Sequence, residues 1–347
     1  MDKVIEKDLD TIFKDIGYIN LQNKTFLISG ATGFLVRYII IYLLYINKKY
    51  NANIKVIGLI RNYDKAKSVL NNYVNDKNLF LIKKNLSEKI NLDFDIHYII
   101  HAASNASPIY YKSDPVGTIL PNTIGTKNLL DLAVAKNIES FLFISSGEVY
   151  GDISSLTIDE KLYGTLNPLN LRSCYPLSKK TGEILCISYS KQFNLNVKIV
   201  RPFHVYGPGI NLDDGRVHSD FIKNILKREN LIIKSDGEAS RSFCYISEAT
   251  TAIFKILFHG KNSHAYNLGN PEQTVKIIEL AKILSKLKLG YDVRIEFKNN
   301  ENKNYLKSEF KVHSPNIDKL KSLGWEPKIN ITEGFKKTIE SFKEHEY

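Results

Sequence analysis

Thr25-Phe26-Leu27-Ile28-Ser29-Gly30-Ala31-Thr32-Gly33-Phe34-Leu35-Val36 begins as an apolar run of strand length, turns on two glycines three apart, and continues into Tyr38–Ile46, nine apolar residues in succession. A strand that runs through G-x-x-G into a helix leaves the helix's first backbone N–H groups at the strand end, where a dinucleotide pyrophosphate can rest. Gly30 suits the tight turn, Gly33 omits a Cβ where the phosphate approaches, and Thr32 and Phe34 flank the contact. A plain glycine turn has the same local form. A third glycine is expected where Val36 stands, and its absence predicts looser helix-to-strand packing.

Outward from this turn, apolar runs alternate with helix-length segments for two hundred residues. Strands are predicted at Thr25–Ser29, Lys55–Ile60, Leu79–Lys83, Tyr98–Ala102, Phe141–Ser145 and Val197–Val200, with helices at about 33–48, 64–74, 118–136 and 174–193. This is the pattern of a doubly wound parallel (Rossmann) sheet, an α/β fold whose ligands bind beyond the carboxyl ends of the strands. Past Arg201 the chain becomes turn-rich, as in GPGINLDDGR and LGNPEQT, which predicts a smaller, interleaved α+β domain. The expected division is 1–202 with about 244–262 for the dinucleotide, and about 203–243 with 263–347 for a substrate.

Composition excludes several classes. With 347 residues, 43% of them hydrophobic, the chain buries a large core and is neither disordered nor disulfide-stapled. Three cysteines, Cys174, Cys186 and Cys244, match no metal-ligand spacing and read as reduced thiols of a cytoplasmic protein, with no metal site. The first ten residues carry four carboxylates, so no signal or transit peptide is expected there, and nine apolar residues cannot span a bilayer. The net charge of +11 invites a nucleic-acid reading, but 40 of the 48 basic residues are scattered lysines, and no basic stripe or RNA-binding motif appears. Neither nucleic acid nor membrane is expected as a partner. Of the eight arginines, Arg61, Arg172, Arg201, Arg216 and Arg241 fall near the predicted ligand strings, which suits bidentate recognition of a small phosphorylated ligand.

Two further strings carry chemistry. Arg61 stands after the second strand, where a carboxylate would take the adenosine ribose of NAD. A guanidinium there tilts the cofactor towards NADP, unless it merely stacks on adenine or lies in solvent. Ser146 and Glu148, in Ser145-Ser146-Gly147-Glu148-Val149-Tyr150-Gly151, precede Tyr175-Pro176-Leu177-Ser178-Lys179, whose Tyr and Lys share one helix face. For the phenol to act as a base at neutral pH its pKa must fall by roughly 3 units from about 10, and Lys179 is expected to supply positive charge for that. Ser146 read alone is also a plausible turn hydroxyl, and Glu148 a strand-end carboxylate.

These strings together resemble the extended short-chain dehydrogenase/reductase family, the nucleotide-sugar epimerases, dehydratases and decarboxylases. The resemblance runs from about Lys24 to Glu340 through GATGF, HAAS (101–104), NTIGTKNLL, SSGEVYG, YPLSK, RPFHVYGPG and DKLKSLGWEP. ASPIYYKSDPVGTI, LNPLNLRSCY, LDDGRVHSDFI and SDGEASRSFCYI look most like its UDP-glucuronate decarboxylase branch. The resemblance implies NAD or NADP, tightly bound, held by Gly30, Thr32, Gly33, Phe34, Arg61, Ala102, Ser104, Tyr175 and Lys179. It implies Tyr175 as base, Lys179 as ribose holder, Ser146 on the sugar 4-hydroxyl and Glu148 as a carboxylate acting after oxidation. Ser146, Arg172, His204, Arg216 and Arg241 would meet a nucleotide sugar, and family practice implies a homodimer. The implied reaction oxidises the sugar at C4, followed by decarboxylation or, alternatively, 4,6-dehydration or epimerisation; a non-catalytic dinucleotide-binding sensor is the reading from another class. Gly147 departs from the family's Asp or Ser, and His204 from its Asn.

Overall fold

The computed structural model describes residues 2–17, 19–153, 155–287, 289–298 and 314–344. Seven strands form one sheet: β1 (Thr25–Ser29), β2 (Lys55–Ile60), β3 (Leu79–Lys83), β4 (Tyr98–His101), β5 (Ser140–Ile144), β6 (Val197–Pro202) and β7 (His264–Leu268). Their spatial order is β3-β2-β1-β4-β5-β6-β7, and every pairing is parallel. Strand order reverses between β1 and β4, which opens a crevice at their carboxyl ends.

Successive side chains of a strand point to opposite faces, and both faces of this sheet are covered. Phe26, Ile28, Ile100 and Val200 enter one core, while Leu27, Ile99, Phe141 and Ile199 enter the other. The nine-residue apolar run lies in the helix Phe34–Tyr50, where Tyr38 through Leu44 are all buried. That helix has neighbours on its outer side too. Tyr38 donates to Asp8 of the helix Lys3–Ile16 at 3.1 Å, and Tyr42 meets Phe254 of the helix Ile246–His259 at 5.0 Å between ring centroids. Val36, 3% exposed, is packed into this core, so the missing third glycine does not leave a loose joint; Gly58 on β2 makes the close approach, since a Cβ there would lie 2.9 Å from that of Ala31.

Two expectations need correction. The segment predicted as one helix over 118–136 is two, Pro115–Asn122 and Ile124–Ala135, broken at Thr123 just after Pro121, whose ring cannot supply an N–H to the ladder. The domain boundary expected at 263 also moves, because His264–Leu268 extends the large sheet beside β6. Beyond it, Ser240–Tyr245 runs parallel to His204–Tyr206 and antiparallel to Thr274–Lys276 in a small sheet. Cys174, Cys186 and Cys244 form no disulfide, and among the described residues no helix is long and apolar enough to cross a membrane.

Candidate active site

The crevice is built first from backbone. Gly30 has φ +73°, and a Cβ on it would stand 2.8 Å from Ala103 Cα, so only glycine fits where β1 turns beneath the end of β4. Ser29 fixes that approach: its Oγ accepts from the N–H groups of Ala102 and Ala103, both at 3.1 Å, and lies 2.7 Å from His101 Nδ1. Burial pushes the His101 pKa down to about 3, so the ring is neutral. Its Nε2 faces the Pro121 carbonyl at 3.1 Å, which can only accept, so Nε2 carries the proton and Nδ1 receives the Ser29 hydroxyl. The helix Phe34–Tyr50 then starts at Gly33 with no side-chain cap and no acid in its first turn. Its N–H groups and positive dipole end therefore fit a dinucleotide pyrophosphate.

A cavity of about 250 Å³ opens beside this turn. Gly33, Phe34, Ala102 and Ser104 line one side; Ser146, Gly147, Glu148 and Tyr175 line the other, with His204 and Arg216 completing the wall. The structure thus brings most of the expected residues together from the turn after β1, the loop after β4, the 3-10 turn Gly147–Tyr150 with Ser146 before it, the helix Cys174–Phe193 and the strand His204–Tyr206. Gly147 is matched to Phe203: a Cβ would press on three ring carbons at 3.2 Å, so the acid or hydroxyl usual in the family has no room unless the ring moves.

Tyr175 is the centre of a stack. Its ring lies on Tyr111 at 5.1 Å and 15°, and Arg172's guanidinium covers the Tyr111 ring at 4.7 Å. Arg172 in turn holds Glu148 bidentately, at 2.8 and 3.0 Å. Tyr111 and Arg216 both donate to the Ala106 carbonyl at 3.0 Å, tying the loop after β4 to the same wall. Tyr111 was not singled out in the sequence, because stacking across 64 residues of chain leaves no spacing to read.

The electrostatics around Tyr175 favour the neutral phenol. Tyr175 is 5% exposed, and burial, reinforced by the Glu148 charge, pushes its pKa up to about 12; a hydrogen bond with Ser146 and the charges of Arg216 and Arg172 act the other way. Lys179 is not among the leading influences on it. Its Nζ donates to the Ile144 carbonyl at 2.7 Å and sits 5.9 Å from the Tyr175 ring centre, while burial brings its own pKa down to about 7.

The remaining expected residues lie outside the cavity wall. Arg61 donates to Asn105 Oδ1 at 3.0 Å, Arg241 to the carbonyl of Ser240 at 2.8 Å, and Thr32 lines a neighbouring cleft. Arg201 turns inward to Glu183, at 2.6 and 2.9 Å, and covers Tyr150. Of the five arginines expected near ligand, only Arg216 lines this cavity. The others complete buried or loop networks, which bidentate geometry serves equally well.

Residues 26–269 match the model of the NAD dependent epimerase/dehydratase family. The chain belongs to that family. It is accordingly an NAD-dependent enzyme, and the glycine turn, Tyr175 and Lys179 described above stand within the matched span. UDP-glucuronic acid decarboxylase 5 of Arabidopsis thaliana is 34% identical over 323 residues, covering 93% of this chain and 90% of that protein. UDP-glucuronic acid decarboxylase 1 of Xenopus tropicalis is 32% identical over 325 residues, 93% of this chain and 73% of that one. Among solved structures, Pal from Bacillus thuringiensis superposes with TM-score 0.79 at 25% identity, over 93% of this chain and 100% of that chain. UDP-glucuronic acid 4-epimerase from Bacillus cereus, in complex with UDP-glucuronic acid and NAD, gives TM-score 0.77 at 24% identity, over 92% and 99%.

Proposed function

We propose that this family member decarboxylates UDP-glucuronate to UDP-xylose. The observation that carries the reading is one cavity, beside an uncapped dinucleotide-binding turn, that presents Tyr175, Ser146, Glu148 and Arg216 together, in a chain one-third identical to plant and animal UDP-glucuronic acid decarboxylases. Gly30, Gly33 and the first turn at Phe34 would hold the pyrophosphate, with Ala102 and Ser104 opposite. Bound there, the dinucleotide supplies a reversible hydride acceptor.

The chain's own groups do the rest. Ser146 holds the sugar 4-hydroxyl, and Tyr175 takes its proton as C4 is oxidised. The 4-ketone makes the C6 carboxylate a β-keto acid, which loses carbon dioxide to leave an enolate; Ser146 and Arg216 stabilise its charge. C5 takes a proton from solvent, and Tyr175 gives its proton back to the C4 oxygen as the ketone is reduced, which leaves the cycle redox-neutral. Glu148, locked to Arg172, is read as a positioned charge. Gly147 offers no acid for elimination, which supports decarboxylation over 4,6-dehydration. Incubation with UDP-glucuronate and NAD or NADP is expected to release carbon dioxide and yield UDP-pentose by mass spectrometry. A product of unchanged mass, or no turnover with either cofactor, overturns the reading.

For the cofactor's adenosine end, Arg61 is read as the 2′-phosphate partner, oriented by Asn105. Arg61→Ala is then expected to weaken NADP by about tenfold while NAD changes less than about threefold, since a charge-assisted hydrogen bond contributes about 1.5–3 kcal/mol. Fluorescence titration with both cofactors checks this; equal losses overturn the NADP preference.

The active form is read as a homodimer in a reducing cytoplasm, which suits three unpaired thiols. Val116 and Ile184 are 62% and 60% exposed on the neighbouring helices Pro115–Asn122 and Cys174–Phe193, an apolar face fitted to a second copy. Sedimentation at micromolar concentration should give a dimer that Ile184→Glu converts to monomer. A monomeric parent protein would contradict it.

A further inference from the structure

On the far side of the glycine turn lies a second cavity, of about 680 Å³, between the turn, the helix Tyr63–Leu70 and the segment Gly209–Lys227. Arg37, Lys65, Lys223 and Lys227 line it, against the single carboxylate of Asp213, which is paired with Lys223. The whole chain carries 48 basic and 37 acidic residues, so this local excess of cations far exceeds the average. Arg37 is seated there by backbone: Gly209 has φ +81°, and a Cβ on it would meet Arg37 Nη1 at 2.5 Å. Arg37 Nε is buried and has no hydrogen-bond partner among the described residues. Phe34, Val69, Ile210, Leu212, Leu226 and Phe342 add apolar contacts to the lining.

We propose that this cleft binds a nucleoside polyphosphate as a site separate from those of the cofactor and the nucleotide sugar. Cations alone would suit inorganic phosphate, but the partly exposed side chains of Phe34, Val69 and Leu226 in the same cleft provide an apolar surface for a flat base, in a volume ordinary for such a ligand. The residues of the catalytic cavity, Tyr175, Ser146 and Glu148, do not line it; Phe34 lines both, and Thr32, expected at the cofactor, lines this one, so the two sites adjoin at the glycine turn. A ligand here spans the dinucleotide turn and the segment that carries Arg216, which gives it a route to influence substrate binding.

The test is calorimetry on the full chain saturated with NAD and UDP, with ATP as probe and tripolyphosphate as the base-free control. ATP is expected to bind one per chain, with tripolyphosphate at least about tenfold weaker, and a Lys65→Ala/Lys227→Ala variant to lose at least about tenfold in ATP affinity, in line with two lost charge-assisted contacts. Both lysines are exposed, so folding and activity without ATP should be unchanged. No heat at millimolar ATP, equal affinity in the variant, or displacement of ATP by NADP as the cofactor's own phosphate would each overturn the proposal. None of these readouts depends on which sugar the enzyme converts.

Discussion

Tyr175→Phe is expected to lower kcat on UDP-glucuronate by about 10²–10⁴-fold, the range for removing a positioned acid–base group. The substitution deletes one hydroxyl and leaves the ring, so the 5.1 Å stack on Tyr111 and the Arg172 layer behind it persist. What disappears is the atom that bonds Ser146 and faces the cavity. Burial pushes this phenol's pKa up to about 12, so before it can take the 4-hydroxyl proton it must lose its own to solvent, a loss that the charges gathered at the site favour. Arg216 and Arg172 already pull in that direction. Cofactor affinity should stay within about threefold and the unfolding midpoint within a few degrees, because the partner that loses a bond, Ser146, is only half-buried and still accepts from the Glu148 N–H. A variant that keeps more than a tenth of the parent's kcat would remove Tyr175 from the reaction and favour a dinucleotide-binding protein without catalysis.

What could be read from the sequence follows from where the signal is local. Six strands were legible because Thr25–Ser29, Lys55–Ile60 and their fellows are near-continuous apolar runs, as parallel strands buried on both faces must be. His264–Leu268 was not, because its Asn267 is fully buried yet polar; only the fold supplies its partners, the Tyr150 hydroxyl at 2.5 Å and the Ile158 carbonyl at 2.8 Å. The break at Thr123 was missed because Pro121 sits in an otherwise helical pattern. In the site, the four-residue spacing put Tyr175 and Lys179 on one helix face, as found, but spacing says nothing of where an ammonium points. Lys179 reaches back 35 residues to the Ile144 carbonyl, and Arg201 reaches Glu183, contacts set by the packing of one helix on the sheet. The strings were right as a family signature while several residues inside them hold up the site from behind.

Lys179→Met, at the residue that the family resemblance puts on the cofactor ribose, is expected to lower turnover and to alter stability in a direction that depends on pH. Lys179 is 2% exposed, and burial brings its pKa from the usual 10.5 to about 7. The native state therefore holds this proton less tightly than the unfolded chain does. As pH falls from about 10.5 to about 7, the unfolded chain gains charge at this position and the native state does not, so unfolding is progressively favoured; below about 7 the penalty is complete and constant. Met keeps the apolar stem and has no such penalty. It also removes the donor to the Ile144 carbonyl, a loss of about 1–3 kcal/mol that does not vary with pH. The difference between parent and variant should consequently shift by about 2–3 kcal/mol between pH 7 and pH 9, in favour of the parent at the higher pH. Urea unfolding of both proteins at the two pH values measures it, every other titrating group being common to the pair. Parallel stability curves would mean that Lys179 stays charged in the folded protein, and a turnover loss would then report on a missing cation in place of a neutral amine held against the sheet.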